Sequence, residues 1–312
     1  MGIQGLLPLI DQAKRQIHLS DLDGLTIAVD AYVWLHKAVR MCCMDLMLGK
    51  KTTKYVNYFL DQTALLCRHG ITPYFVFDGG PLPSKLCIEQ ERAARRNQLR
   101  AEGLAHYAAN RREKAFDCFA GAVDVTPQMA HEVIKELRRH GIKHVVAPFE
   151  ADAQLCYLER EGIVDAVLTE DSDLVVFGCK RVLCKLNREG KVDEFLASRL
   201  SEVKNGEVIL GGRFTHDKFR WMCILAGCDY LRGIQGIGLK KAYKVVRFAS
   251  SWEAALRSGY QFRLPPGYAD EFRRAERTFL YQRVYDPRSQ QLVTLNEIPT
   301  SLAGEDMPYI GE

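Results

Sequence analysis

Long apolar runs are missing from this chain: nothing in its 312 residues approaches the ~20 consecutive apolar residues that a bilayer span needs. The N-terminus also lacks the charged-then-apolar layout of a secretion signal, and Met1-Gly2 is followed by Leu6 where a myristoylation signal needs Ser or Thr. Ten cysteines are present but no Cys-x-x-Cys pair. Cys42 and Cys43 are adjacent, and the Cys179–Cys184 and Cys223–Cys228 spacings fit no zinc framework. Cys156 and Cys223 sit in apolar stretches, where a thiol behaves as a small hydrophobe, so a reducing compartment is expected. Gly-x-x-x-x-Gly-Lys-Ser/Thr and Gly-x-Ser-x-Gly are both absent, which excludes a P-loop nucleotide site and a serine-hydrolase elbow. Charge of one sign is nearly balanced, with 43 Lys and Arg against 39 Asp and Glu for a net +4. Any polyanion must therefore be bound by local basic surfaces and not by bulk charge. What is present, 47% hydrophobic and 26% charged residues, suits one large folded α/β unit or a core with a smaller module.

The strongest pattern is a set of short apolar runs that end in acid. Leu25–Val29 runs into Asp30, Tyr74–Phe77 into Asp78, His144–Phe149 into Glu150, and Ala166–Thr169 into Glu170 and Asp171. Runs of this kind predict strands buried on both faces, and the spacing between them leaves room for helical crossovers, hence an α/β fold with a mainly parallel central sheet. Ligands of such sheets bind outside the carboxyl ends of the strands, where these acids converge. Asp152 lies two residues beyond Glu150, Asp173 two beyond Asp171, and Asp229 follows the apolar Met222–Cys228. Seven carboxylates in one cleft raise one another's pKa unless cations compensate, and hard divalent ions are the natural partners. Two such ions suit phosphodiester hydrolysis, while the lack of a His or Cys set argues against zinc. Helix capping by Asp152 and Asp173 accounts for one or two of the acids but not for acid at four strand ends.

Two basic features accompany the acids. Residues Lys85 to Lys114 carry eight bases against four acids with no strand signal, so a helix is expected, with Lys85, Arg92, Arg95 and Arg96 forming a cationic stripe. A solvated surface helix would look similar, but this stripe begins seven residues after Asp78. Gly233-Ile234-Gln235-Gly236-Ile237-Gly238, followed by Leu239, Lys240 and Lys241, has the layout of a helix-hairpin-helix that grips duplex phosphates through backbone N–H groups. Thr126-Pro127 opens a further helix with Ala130, Val133, Ile134 and Leu137 on its apolar face and Gly141 at its end. Residues 185–214 show little beyond turns, and the stretch past Asp286-Pro287 reads as an extended tail crossing the body. His36, alone beside Trp34 and Lys37, is not assigned a proton-transfer role.

Together the segments Met1–Leu7, Asp30 with Tyr32–Lys37, Val76–Gly79, Ala147–Gln154, Thr169–Asp173 and Gly227–Tyr230 resemble the flap endonuclease superfamily of 5′ structure-specific nucleases. Trp34–Lys37, Leu82–Lys85 and Phe177–Lys180 are most similar to its exonuclease branch. The resemblance runs from Met1 to about Leu295-Asn296 and is poor over residues 187–215. It implies a PIN-like nuclease core with a helical arch. It implies a 5′-to-3′ exonuclease on duplex DNA at nicks, gaps or recessed ends, with 5′-flap endonuclease action, in nuclear DNA repair and recombination. By the same resemblance, Asp30, Asp78, Glu150, Asp152, Asp171, Asp173 and Asp229 hold two Mg²⁺ ions, with Mn²⁺ able to substitute. Lys85 and Arg92 act with Asp173 as catalytic residues. Gly2, Tyr32, His36, Arg95, Arg96, Gly236, Gly238, Lys240 and Lys241 contact DNA, and Gly233 and Ile237 hold K⁺ at the hairpin. The implied division is an N-terminal nuclease region 1–100, an arch 101–137, an internal nuclease region 138–230, a hairpin module 231–285 and an extension 286–312. Mismatch-repair proteins are the implied partners, through a tail beyond this chain, and no membrane is involved. The alternatives are a replication-type flap endonuclease and a non-catalytic junction-binding module. The missing Gln-x-x-hydrophobic-x-x-Phe-Phe box disfavours the first, and the seven acids disfavour the second.

Overall fold

The computed structural model describes residues 2–258 and 264–311. Met1 and Glu312, at the outer ends of the first and last expected regions, and residues 259–263 of the expected hairpin module lie outside the described residues. Helix α1 (Leu6–Leu9) precedes β1 (Lys14–His18) and β2 (Thr26–Asp30). Helices α2 (Ala31–Met41), α3 (Cys43–Met47) and α4 (Lys54–Arg68) lead to β3 (Thr72–Phe77). Helices α5 (Leu86–Ala108), α6 (Arg112–Ala122) and α7 (Pro127–Arg139) lead to β4 (Lys143–Val146), and α8 (Ala151–Arg160) leads to β5 (Ala166–Leu168). Helix α9 (Asp173–Phe177) is followed by β6 (Arg181–Cys184), β7 (Lys191–Leu196) and a small pair, β8 (Lys204–Asn205) with β9 (Val208–Ile209). Then come α10 (His216–Ala226), α11 (Leu239–Val246), α12 (Trp252–Ser258), α13 (Tyr268–Tyr281) and the hairpin β10 (Arg283–Asp286) with β11 (Gln291–Thr294).

Seven strands form one sheet in the order β1-β7-β6-β5-β2-β3-β4. The β6-β5-β2-β3-β4 part is parallel, and β7 runs antiparallel to both β1 and β6. Side chains alternate across the pleat, so Ala28, Val76 and Val167 enter one core with α8, α10, α11 and α13. Ile27, Val29, Phe75, Phe77 and Leu168 enter the opposite core with α2, α4 and α7. In the second core Trp34, Phe59 and Phe75 meet edge-on or tilted at centroid distances of 4.7–5.4 Å.

The expected fourth strand is shorter than its apolar run. It stops at Val146, and Ala147–Glu150 form a loop. Pro148 has no N–H to continue a ladder, and β4 lies at the sheet edge with Val146 50% exposed, not buried on both faces. The basic segment is helical as expected, and α5 runs unbroken from Leu86 to Ala108. It doubles back at Asn110, in the left-handed region at φ 56°, into α6. Gly103 allows the two helices to touch, because a Cβ there would run into the Phe119 ring. Helix α7 has the expected cap, with Thr126 accepting from Met129 N, and the expected apolar face. The last stretch departs from a plain extended tail. It folds back as β10–β11 and then packs Met307 and Ile310 against Tyr281. Among the described residues no helix is long and apolar enough to cross a membrane, and the nine cysteines with described side chains are free thiols.

Candidate active site

Register brings the acids level. Asp30 pairs with Val76, Val29 with Leu168, and Phe77 with Val146, so β5, β2, β3 and β4 end together. Asp30 closes β2, Asp78 follows β3, Glu150 precedes the first residue of α8 after β4 without capping it, and Asp171 follows β5. Asp152 sits in the first turn of α8. Asp229 stands in the tight turn that Cys228 and Leu231 close by two backbone hydrogen bonds. Six of the seven acids, Asp173 excepted, line one cavity of about 610 Å³ under the base of α5, together with Lys85, Arg92, Arg96, Tyr32 and His36. Asp173 lies behind this wall, 3% exposed. Glu170, which ends the same apolar run as Asp171, turns away to pair with Lys37 at 2.7 Å.

Hydrogen bonds fix the acids individually. Asp30 Oδ1 accepts from Tyr32 N and Val33 N, so the acid that caps a helix is Asp30 and not Asp152 or Asp173. Thr169 Oγ1 donates to Asp30 Oδ2 at 2.9 Å and accepts from Asp171 N at 3.1 Å, tying two strand ends together. Asp78 Oδ1 accepts from Ala151 N at 2.8 Å, which joins β3 to the start of α8. Asp173 N donates to Asp171 Oδ1 at 3.0 Å, whereas Asp173 Oδ1 is buried with no partner among the described residues. Gly2, at φ 77°, lies directly on this pair: a Cβ there would overlap Asp171 Oδ1 and Ser172 Oγ, and Ile3 N donates to Ser172 Oγ.

Burial penalises charge on the aspartates of this wall. It pushes Asp30 up to about 6 against the hydrogen bond from Thr169, and with the Asp30 charge it pushes Asp78 up to about 7. Burial followed by repulsion from Asp171 raises Asp152 and Asp173 well above the usual carboxylate range, and burial raises Asp171 as well. Asp229 is the exception. Burial would raise it, but Lys85 and Arg92 hold it below its ordinary value.

The cationic stripe faces these acids. Lys85 Nζ pairs with Glu150 Oε1 and lies 3.0 Å from Asp229 Oδ2. Arg92 donates to both Asp229 oxygens at 3.0 and 3.1 Å, and Arg96 pairs with Asp124 at 3.0 Å. Arg95 is exposed and forms no ion pair among the described residues. Burial opposes the Lys85 charge, yet Glu150, Asp229 and Asp152 overcome it and raise its pKa. Among the described residues no three of the carboxylates are gathered tightly enough to hold an ion. The Lys85 ammonium stands between two of them.

Tyr32 and His36 occupy the first turns of α2 at the cavity rim, ring centroids 6.3 Å apart. The hairpin lies elsewhere. Gly236, Gly238, Lys240 and Lys241 line a separate cavity with Gln4 and Gly5, and Lys241 Nζ donates to Gly236 O at 2.8 Å. Gly233 packs against Ala226 O, and Ile237 is buried. Sequence reasoning missed Thr169 and Tyr230 as functional side chains. A hydroxyl at a strand end was the available signal for Thr169, while the Tyr230 contact to Glu150 spans 80 residues and leaves no local signal.

Acids at four neighbouring strand ends beneath a basic helix define a nuclease-like α/β class, and the comparisons agree. The XPG N-terminal domain model matches residues 1–99 and the XPG I-region model residues 141–229. Exonuclease 1 of Arabidopsis thaliana is 42% identical over all of this chain and 42% of its own length. The DNA damage-inducible protein DIN7 of Saccharomyces cerevisiae is 38% identical over 99% of this chain and 72% of its own length. A solved structure of the Holliday junction-resolving enzyme GEN1 with product DNA and Mg²⁺ superposes with a TM-score of 0.59 at 20% identity, covering 92% of this chain and 66% of that one. The chain belongs to the exonuclease 1 group of the XPG and flap endonuclease superfamily. It spans less than half the length of the Arabidopsis relative.

Proposed function

We propose that this chain is a divalent-metal-dependent 5′-to-3′ exodeoxyribonuclease with 5′-flap endonuclease activity, acting in the nucleus in DNA repair and recombination. One observation carries the reading: a single cavity is walled by acids from four neighbouring strand ends and roofed by Lys85 and Arg92. The donor set consists of carboxylate oxygens, which suit Mg²⁺ or Mn²⁺ better than zinc, and Asp173 Oδ1 is buried without a hydrogen-bond partner among the described residues. The donor chemistry therefore suits a metal, although among the described residues no three of the acids are yet close enough together to hold one. Asp30, Asp78, Glu150, Asp152, Asp171, Asp173 and Asp229 would hold it, as two Mg²⁺ ions in this reading. When bound, such ions supply an activated water and neutralise charge that develops on the phosphate.

The side chains of this chain do the rest. Lys85 and Arg92 exchange their Asp229 partner for the scissile phosphate, a trade of one anion for another that keeps both cations paired. Tyr32 and His36 present ring faces at the rim, where the unpaired end of a strand can stack. Arg95 and Arg96 meet backbone phosphates along α5. Gly2 lets the N-terminal segment pass close over Asp171 without crowding it. The N-terminus of α11, with Gly236, Gly238, Lys240 and Lys241, grips duplex phosphates, and carbonyls at Gly233 and Ile237 would take K⁺. The substrates in this reading are duplexes with a nick, gap, recessed end or 5′ flap, and the protein partners are mismatch-repair proteins. The division into two nuclease regions, arch, hairpin module and extension belongs to the same proposal.

End-labelled nicked, recessed and flapped duplexes, each with Mg²⁺ and with EDTA, test it. Stepwise 5′ shortening of nicked and recessed duplexes that stops in EDTA is expected. Flap cutting without shortening favours the replication-type flap endonuclease. Binding with no cleavage in Mg²⁺ overturns the enzyme reading in favour of a junction-binding module.

A further inference from the structure

Glu150 divides its two oxygens between different partners. Oε1 faces the cavity and pairs with Lys85, while Oε2 accepts from the Tyr230 hydroxyl at 2.7 Å. Gln282, one residue beyond α13 and fully buried, brings its amide to 3.5 Å from the same hydroxyl. A hydroxyl has one proton, and the shorter contact takes it, so Gln282 Oε1 is left facing an oxygen with nothing to share. Meanwhile Gln282 Nε2 is buried with no partner among the described residues. Turning this amide over resolves the conflict, because its NH₂ then donates to the Tyr230 oxygen while Tyr230 donates to Glu150.

We propose that Gln282 and Tyr230 form a two-step relay of donors that fixes the orientation of Glu150, making Tyr230 a positioning residue for the divalent metal. The inference rests on the nuclease reading of the same cavity. Neighbouring groups hold the Tyr230 ring in place: Phe279 packs on it at 4.8 Å between centroids, Phe177 at 6.5 Å, and Lys85 Nζ lies 5.8 Å from its centre. A phenol, with an ordinary pKa of about 10, carries its proton at neutral pH and has it to donate. With Oε2 engaged, the carboxylate cannot swing about its Cγ–Cδ bond, and Oε1 stays directed at the cavity. Such partners behind a ligand orient it, and their loss weakens metal binding.

Tyr230→Phe removes the hydroxyl and keeps the ring. Calorimetric titration of the DNA-free protein with Mg²⁺, together with cleavage of a nicked duplex across a Mg²⁺ series, reads the effect. A rise of about tenfold in half-saturating Mg²⁺ is expected by both measurements. The rate recovers at high Mg²⁺, and DNA affinity in Ca²⁺ stays unchanged. Gln282→Met, close in shape but without donors, shifts the Mg²⁺ dependence in the same direction by less. An unchanged Mg²⁺ dependence in Tyr230→Phe overturns the relay, including where the variant melts earlier, since a purely structural role would produce that pattern. A wild-type protein that binds no Mg²⁺ overturns the nuclease reading and the relay with it, which separates that failure from failure of the relay alone.

Discussion

Lys85 Nζ stands 3.0 Å from Asp229 Oδ2, placing a lysine ammonium inside a wall of acids. The cation on this side of the cavity belongs to the protein, and it comes from the end of the helix that would meet the DNA backbone.

Exchange at Lys85 has measurable consequences. Lys85→Ala is expected to slow cleavage by roughly 100–1,000-fold, the scale of losing one donor to a developing anion. The same variant, free of DNA, should bind Mg²⁺ more tightly, because Glu150 and Asp229 lose their competing partner. Calorimetry with Mg²⁺ on both proteins checks this, and weaker binding by the variant would contradict it.

Asp173 separates chemistry from binding. Asp173→Ala should bring cleavage to background while leaving the affinity for nicked duplex in Ca²⁺ close to wild type, since the residue lies behind the cavity wall. Asp173→Asn should raise the melting temperature in EDTA, because a buried carboxylate crowded by Asp171 and Asp229 is replaced by a neutral amide. Loss of DNA affinity, or a lower melting temperature, would refute these roles.

Stability of the metal-free protein should fall as pH rises. Asp30 is raised to about 6 and Asp78 to about 7, from an ordinary value of 3.8. Between roughly pH 4 and 7 the folded state therefore binds more protons than the unfolded state, and stability present below that window is lost as pH climbs through it. Thermal melts in EDTA across this range should show the decline, and Asp78→Asn should flatten it. A variant with the same slope as wild type would remove Asp78 from the explanation.

Thr169→Val tests the tie between strand ends. It deletes the donor to Asp30 and strands the buried Asp171 N–H, a loss of about 1–3 kcal/mol on the scale of an unsatisfied buried group. Urea denaturation of the two proteins measures it, and equal midpoints would show that the hydroxyl is idle.

Much of this site was legible because strand chemistry is local. Asp30 and Asp78 each close a run of β-branched and aromatic residues, so their placement at the carboxyl edge follows from a few neighbours. Glu150 stands at the strand-to-helix junction that the sequence marks, although β4 ends four residues earlier: the helix start that fixes it is signalled by its own residues, while Pro148 cuts the ladder short. Glu170 and Asp171 are adjacent, and only the fold decides that one reaches Lys37 and the other the cavity. Arg92 and Asp229, or Tyr230 and Glu150, meet across 137 and 80 residues, and no periodicity reports such pairs. Gly103 is similar, since what it makes room for is a ring on the next helix.

The interleaving of the sheet has a consequence for the cell. Neighbouring strands β5, β2, β3 and β4 come from segments as far apart as Thr26 and Leu168, and the last acid, Asp229, lies beyond all of them. Long-range pairings of this kind form late and together. A nascent or partly unravelled chain therefore carries no assembled cavity, and whatever chemistry these acids perform waits until the whole molecule has folded.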